Sequence, residues 1–331
     1  MLKPAWKKQN EAFQLALQYL EKRRLGYIKS IKTPWLKLDD AGTGGLDWHS
    51  MIVIAGRPGS GKTLIKDMIV RNLFPLNPGI TMRVLEFQLE MRGEVSAIRE
   101  YSNVVGKTYK QLCSADGIIS TADIERCHNY AKGRVQFPID IVEDAPTVEG
   151  FKKIISDYME AHATTDDKGV KTYINTMVTL DHSLLLQRDQ KTEKDNTEML
   201  YNLGKAITAL KRKYPIMFII LSQLNRNVDN PERQEDGRYS NYILESDIFG
   251  GDALLQHADM VIGLNRPGKQ KIKFYGPDRY IIEDERTMVW HFLKCRNGDT
   301  RMSFFKTEFE TMSVSEMHTP PPTQERRIKA S

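Results

Sequence analysis

No run of roughly 18 apolar residues occurs in this chain, so nothing in it has the length and hydropathy of a membrane-spanning helix. The N-terminus also lacks the short apolar block and small-residue cleavage site of a secretory leader, and a cytoplasmic protein without a membrane partner is expected. Cysteine is scarce. Cys113, Cys127 and Cys295 lie far apart with no CxxC spacing, which argues against a disulfide framework and a structural zinc site. Cys127 and His128 are adjacent, but they read as two ordinary helix residues. No internal repeat is present.

The chain does have an apolar fraction of 40% against 27% charged in 331 residues, enough for one large α/β domain, or two small ones, with a substantial core. The net charge of +5 is unevenly spread, because residues 1–37 hold nine Lys and Arg against two Glu. A basic segment of this kind favours phosphate backbones or acidic partners, although a solvated helix face is the commoner explanation of such a charge run.

Between Glu11 and Leu25, Phe13, Ala16, Leu17 and Leu20 recur at helical spacing, with Gly26 as a C-cap. Residues 34–45 read as a linker and turn feeding a first strand at 51–55. Strands then alternate with helical patterns. Strands are expected at 82–88, 135–142, 174–181, 216–222 and 259–264, and helices at 63–74, within 93–132, and at 147–162, 196–213 and 251–257. That alternation argues for a mostly parallel sheet covered on both faces, and the continuous apolar runs MIVIA, MVTL and IMFIIL fit doubly buried strands. Two further runs, 288–295 and 301–306, flank Arg296-Asn297-Gly298-Asp299, an Asn-Gly hairpin signal. The end of the chain, residues 313–331, closes with TPPPTQERRIKAS and is expected to be a disordered tail.

Gly56-Arg57-Pro58-Gly59-Ser60-Gly61-Lys62-Thr63 satisfies GxxxxGK[ST] directly after an apolar strand and directly before a helix, the context a phosphate-binding loop needs. Its glycines let backbone N–H groups wrap a β-phosphate. Lys62 would reach the β- and γ-phosphates, and the Thr63 hydroxyl would ligate Mg²⁺. ATP and Mg²⁺ are therefore the expected cofactors. Such a site also needs a carboxylate at the end of a neighbouring buried strand to hold the metal, and Asp181 ends Met177-Val178-Thr179-Leu180 in that way. Hydrolysis needs a base for the attacking water. Glu90, just after the second strand, would lie at the carboxyl edge of the sheet where ligands of open α/β folds gather. Glu86 competes but sits within the strand, so Glu90 is favoured.

Taken together these motifs resemble the RecA-type ATPase domain of DnaB-like replicative hexameric helicases, from about residue 10 to residue 310. The resemblance rests on Ala55–Thr63, Phe87–Met91, the strand ending in Asp181, Leu221-Ser222-Gln223-Leu224-Asn225-Arg226, and Lys294-Cys295-Arg296-Asn297-Gly298, in the family's order. It implies a RecA-like fold with an N-terminal linker helix (1–30), an ATPase domain (31–312) and a C-terminal β-hairpin. It implies ATP-driven translocation on single-stranded DNA and duplex unwinding in replication, by a hexameric ring, with loader or primase proteins as possible partners. Glu90 would be the catalytic glutamate, and Gln223 would sense the γ-phosphate. Lys294 and Arg296 would act in trans, supplying positive charge to the adjacent subunit's site. DNA-contacting loops would correspond to 187–196 and 225–251, the latter carrying Arg226, Arg233 and Arg238 beside Asp229, Glu232, Glu235 and Asp236. The linker helix would dock its apolar stripe on the adjacent subunit, with packing on its own domain as the alternative.

Departures from the family pattern accompany the resemblance. His182 stands where a tyrosine often follows the metal-binding Asp, and Ser246–Asp252 replaces a serine-glycine-rich segment. The family's primase-recruiting N-terminal domain is expected to be absent, with only some fifty residues before the P-loop. A RecA- or KaiC-like DNA-binding ATPase, or a loading platform without unwinding activity, is the alternative reading.

Overall fold

The computed structural model describes residues 6–230, 233 and 242–325. Among these, one sheet contains β1 (Met51–Gly56), β2 (Met82–Gln88), β3 (Ile139–Val142), β4 (Asn175–Asp181), β5 (Ile216–Gln223), β6 (Met260–Asn265), β7 (Thr287–Cys295), β8 (Arg301–Glu308) and β9 (Ser313–Glu316). The helices are α1 (Gln9–Arg24), α2 (Leu36–Ala41), α3 (Lys62–Leu76), α4 (Gly93–Val105), α5 (Tyr109–Leu112), α6 (Thr121–Arg134), α7 (Val148–Ala161), α8 (Asn196–Lys213) and α9 (Gly251–Leu255). The strand order is β9-β8-β7-β6-β1-β5-β4-β2-β3. Strands β6 through β3 run parallel, and β7, β8 and β9 add antiparallel neighbours at one side.

Every residue of β1 is buried, and successive side chains enter different cores. Met51, Val53 and Ala55 join α7 and α8 on one face, while Ile52 and Ile54 join α2 and α3 on the other. This is the period-two signature of a strand covered on both sides. Side-chain caps set the helix starts: Thr147 accepts from Gly150 N, and Asp195 accepts from Glu198 N, each satisfying an N–H the helix itself cannot.

Three expectations need correction. Residues 36–41 form a short helix rather than part of a linker, because Leu38 and Ala41 are buried in the core beneath β7. The strand expected at 135–142 begins only at Ile139: Pro138 has no N–H to give the ladder, and Phe137 instead stacks on Phe74 at a centroid distance of 4.6 Å. The tail expected from 313 onward is folded as far as the described residues extend. β9 pairs with β8, Trp35 Nε1 donates to Val314 O at 3.0 Å, and Ile281 N donates to Pro322 O at 2.8 Å. Residues 326–331 lie outside the described residues.

None of α1 is buried. Phe13, Leu17 and Leu20 are each about three-fifths exposed. The helix is tied to the body near its C-terminus, where Arg23 pairs with Asp47 at 2.5 Å and donates to Ser30 Oγ at 2.7 Å. Its apolar stripe does not pack on its own domain.

Candidate nucleotide site

The loop between β1 and α3 has the geometry of a phosphate cradle. Gly61 holds φ +99° before the helix starts, and a Cβ there would meet Met288 Cε at 2.8 Å, so both conformation and space call for glycine. At Gly56 a Cβ would lie 2.2 Å from Ser60 Oγ. Lys62 opens α3, with Thr63 beside it in the first turn, where free N–H groups and the positive helix end favour an anion. The Lys62 ammonium donates to Gly56 O at 2.9 Å and to Arg57 O at 3.2 Å, folded back on its own loop. Burial lowers its pKa, the Asp181 and Glu90 carboxylates oppose that, and Arg57 adds to it.

The strand register brings the other members to the same edge. Gln223 pairs with Gly56 across β5 and β1, and Gln88 pairs with Asp181 across β2 and β4. Leu89 N donates to Asp181 O at 3.1 Å, and Glu90 follows, exposed, at the lip. Asp181 is 3% exposed, and its Oδ1 has no hydrogen-bond partner. A buried, unpaired carboxylate oxygen is costly and suits a cation. No cluster of three or more His, Cys, Asp and Glu able to hold a metal occurs among the described residues. The unpartnered Asp181 Oδ1 and the hydroxyl type at Thr63 are hard oxygen donors of the kind Mg²⁺ takes from a protein one or two at a time, the rest coming from phosphates and water. The Gln223 carboxamide lies 3.3 Å from His182 Nε2. Burial lowers the His182 pKa, the Glu90 and Asp181 charges partly restore it, and Lys62 lowers it further. Lys62, Asp181, Glu90, His182 and Gln223 thus form one neighbourhood. Glu86 is 6% exposed and pairs with Lys66 at 3.1 Å, away from the open lip.

Lys294 and Arg296 sit at the other end of the sheet. β7 runs antiparallel to β6, with Cys295 opposite Met260 while Gly56 lies opposite Leu264, so a rise of four residues, about 13 Å along the strands, separates the level of Cys295 from that of the P-loop. A register shift between Phe292 and Lys294 re-aims Lys294, whose ammonium donates to Leu255 O. Arg296 pairs with Asp259 at 2.9 Å and is half exposed. Neither residue reaches the nucleotide site of its own chain.

Of the arginines expected to meet DNA, Arg226 is exposed at the start of a 3₁₀ turn after β5. Arg233 is engaged elsewhere: its guanidinium grips Asp247 through both nitrogens at 2.5 and 2.9 Å and donates to Tyr242 O. With Asp247 2% exposed, the pair ties Arg233 to the part of the loop that leads back toward α9. Arg238 lies outside the described residues. The loop at 187–196 is organised by its own carboxylates, Glu193 accepting from Asp189 N at 2.8 Å and Asp195 capping α8.

Sequence reasoning missed Arg266 and Phe309. The Arg266 guanidinium stands 4.0 Å over the Phe309 ring, its Nη1 3.3 Å from Gly59 O, and the ring closes over the Gly61 position. A planar cation on an aromatic ring at the rim of the P-loop is a surface on which a base can stack. The available signal was Arg266 immediately after β6, at the sheet edge where ligands gather.

Comparison with known proteins agrees with this geometry. A family model described as DnaB-like helicase C terminal domain matches residues 30–313. The replicative DNA helicase DnaB of Geobacillus stearothermophilus is 25% identical over 288 residues, covering 83% of this chain and 54% of that protein. A probable replicative DNA helicase of Trieres chinensis is 23% identical over 255 residues, 76% of this chain and 51% of the relative. The chain spans about half the length of the curated relatives it matches. Among solved structures, one of an isolated ATPase domain superposes with a TM-score of 0.76 at 18% identity, covering 95% of this chain and 100% of that one. A DnaB-like replicative helicase studied with its primase interactions gives 0.74 at 18% identity, covering 94% and 69%. The mostly parallel sheet flanked by helices is therefore the RecA-like fold of those ATPase domains, and with the family model spanning residues 30–313, the chain belongs to the DnaB-like helicase C terminal domain family.

Proposed function

We propose that this chain is the ATPase motor of a replicative DNA helicase, hydrolysing ATP to move along single-stranded DNA and unwind duplex as a hexameric ring. The observation that carries the reading is the division of polar and charged groups between the two ends of one sheet: Lys62, Thr63, Asp181, Glu90 and Gln223 at one, Lys294 and Arg296 at the other. Each site then lacks one source of positive charge until a neighbour brings its hairpin. Primase or loader proteins are partners by analogy with the relative solved with primase. Membership in a helicase family weighs against a RecA-like recombinase or a passive platform.

In this reading Lys62 leaves the Gly56 and Arg57 carbonyls for the β- and γ-phosphates, and the loop amides and the α3 N-terminus hold the phosphate oxygens. Thr63 and Asp181 would hold Mg²⁺, which when bound offsets phosphate charge. Glu90, at the open lip, takes the proton of the attacking water. Gln223 reads the presence of the γ-phosphate. Its backbone is tied directly to the root of the DNA loop, since Phe249 N donates to Gln223 O at 2.9 Å and Asn225 N donates to Asp247 O at 2.6 Å. Arg226 and the loop backbone then meet the phosphates of one strand without reading bases. The exposed stripe of α1 docks on the neighbouring subunit.

The test is ATP turnover with and without single-stranded DNA, followed by strand displacement on a forked duplex. Stimulation by DNA together with unwinding is expected. Turnover that ignores DNA and displaces no strand would refute the reading.

A further inference from the structure

Below the P-loop lies a second set of charges, gathered around a fully buried lysine, that the hydrolysis described above does not use. Lys66 stands one helical turn beyond Lys62 on α3 and is 1% exposed. Its ammonium pairs with Asp67 Oδ1 at 2.6 Å and donates to Glu86 Oε1 at 3.1 Å. Glu86, inside β2, also accepts from Thr179 Oγ1 of β4 at 3.3 Å and from Gln88 Nε2 at 3.2 Å. One ammonium and one carboxylate thereby tie a helix to two strands.

Each of the three tied elements carries a site residue close by. α3 begins with Lys62 and Thr63, β2 leads to Glu90 four residues after Glu86, and β4 ends in Asp181 two residues after Thr179. Stability does not account for the pair. Removing two charges from water costs several kcal/mol per ion, and apolar side chains of the same volume serve a core as well or better. What an ion pair supplies and an apolar contact does not is direction, since charge-assisted hydrogen bonds hold their partners within tenths of an ångström and along fixed lines. Burial pushes the Asp67 carboxyl up to about 6, with Lys66 holding it down and Glu86 and Asp181 pushing it up, so this interior is rich in carboxylate and Lys66 is the cation embedded in it.

We infer that Lys66 and Glu86 are positioning residues of the ATP site: they fix α3, β2 and β4 relative to one another so that Thr63, Asp181 and Glu90 converge on the same phosphate. Neither touches substrate. The inference rests on the proposed reading of this site as an ATPase.

The experiment compares the wild-type chain, Lys66→Met, and the neutral triple Lys66→Met/Asp67→Asn/Glu86→Gln, which keeps an acceptor for Thr179 and Gln88 and leaves neither Asp67 nor Glu86 with a stranded charge. For each, Tm, ATP affinity and the kcat and KM for ATP are measured in the presence of single-stranded DNA. The single variant is expected to lose stability. The neutral triple is expected to recover the wild-type Tm and to bind ATP within a few-fold of it. Its kcat should stay down by about tenfold to a hundredfold, the scale of a misplacement near one ångström. Recovery of both Tm and kcat in the neutral triple would reduce the network to packing and overturn the inference, as would full turnover by Lys66→Met. A wild-type chain that hydrolyses no ATP would instead overturn the functional reading and the inference resting on it.

Discussion

His291 lies inside the sheet on β7, 2% exposed, its Nε2 2.7 Å from the Tyr275 hydroxyl, which accepts from Asn265 Nδ2 at 3.0 Å. Burial pushes the imidazole down to about 3, with the Asp247 charge countering in part. An unfolded histidine titrates near 6.5, so between pH 6.5 and 3 the unfolded chain binds a proton that the folded one refuses. Stability is then complete above about 6.5 and falls with acid by about 1.4 kcal/mol per pH unit. Thermal unfolding between pH 7 and 5 should show this slope, and it should be flatter in His291→Phe whatever that variant's absolute Tm. An identical slope would mean that the ring is hydrated. At this scale the sequence is legible where function is local in the chain. The P-loop from Gly56 to Thr63 is a contiguous string whose spacing is its mechanism. The Lys66–Glu86 pair spans twenty residues, and only the packing of α3 on β2 makes the two side chains partners. Arg266 and Phe309 meet across more than forty.

Alternating apolar runs were enough to find the strands of the parallel half, because strands buried on both faces leave an unbroken signature. Boundaries failed where a single residue governs, as at Pro138, or where burial comes from remote chain, as for α2 and β9. Helix α1 is the inverse case: its periodicity is plain, and its own domain provides no surface for the stripe. Replacing Leu17 and Leu20 by serine should leave the Tm of the isolated subunit unchanged, since both are exposed, and should abolish assembly as followed by light scattering with nucleotide bound. A drop in subunit stability with assembly intact would place the stripe on the domain itself.

For the whole molecule, the separation of Glu90 from Arg296 by the length of the sheet predicts complementation. Glu90→Gln subunits have a defective site and a sound hairpin, and Arg296→Ala subunits have the reverse, so each is expected to be nearly inactive alone. Mixed, they form interfaces in which one chain's Glu90 faces the other chain's Arg296, and ATP turnover should reappear. No recovery on mixing would confine Arg296 to its bond with Asp259. This division was legible as two motifs about two hundred residues apart; that they lie at opposite ends of one sheet follows from the antiparallel course of β7, which spacing alone does not reveal.

That antiparallel course also sets an arithmetic for assembly. Subunits repeating head to tail in an open row of n leave one P-loop without a hairpin and one hairpin without a P-loop, giving n − 1 complete sites, and closure adds the last. Turnover per subunit would therefore rise at the moment the row shuts, and a ring opened to admit a DNA strand would carry its idle site at the gap.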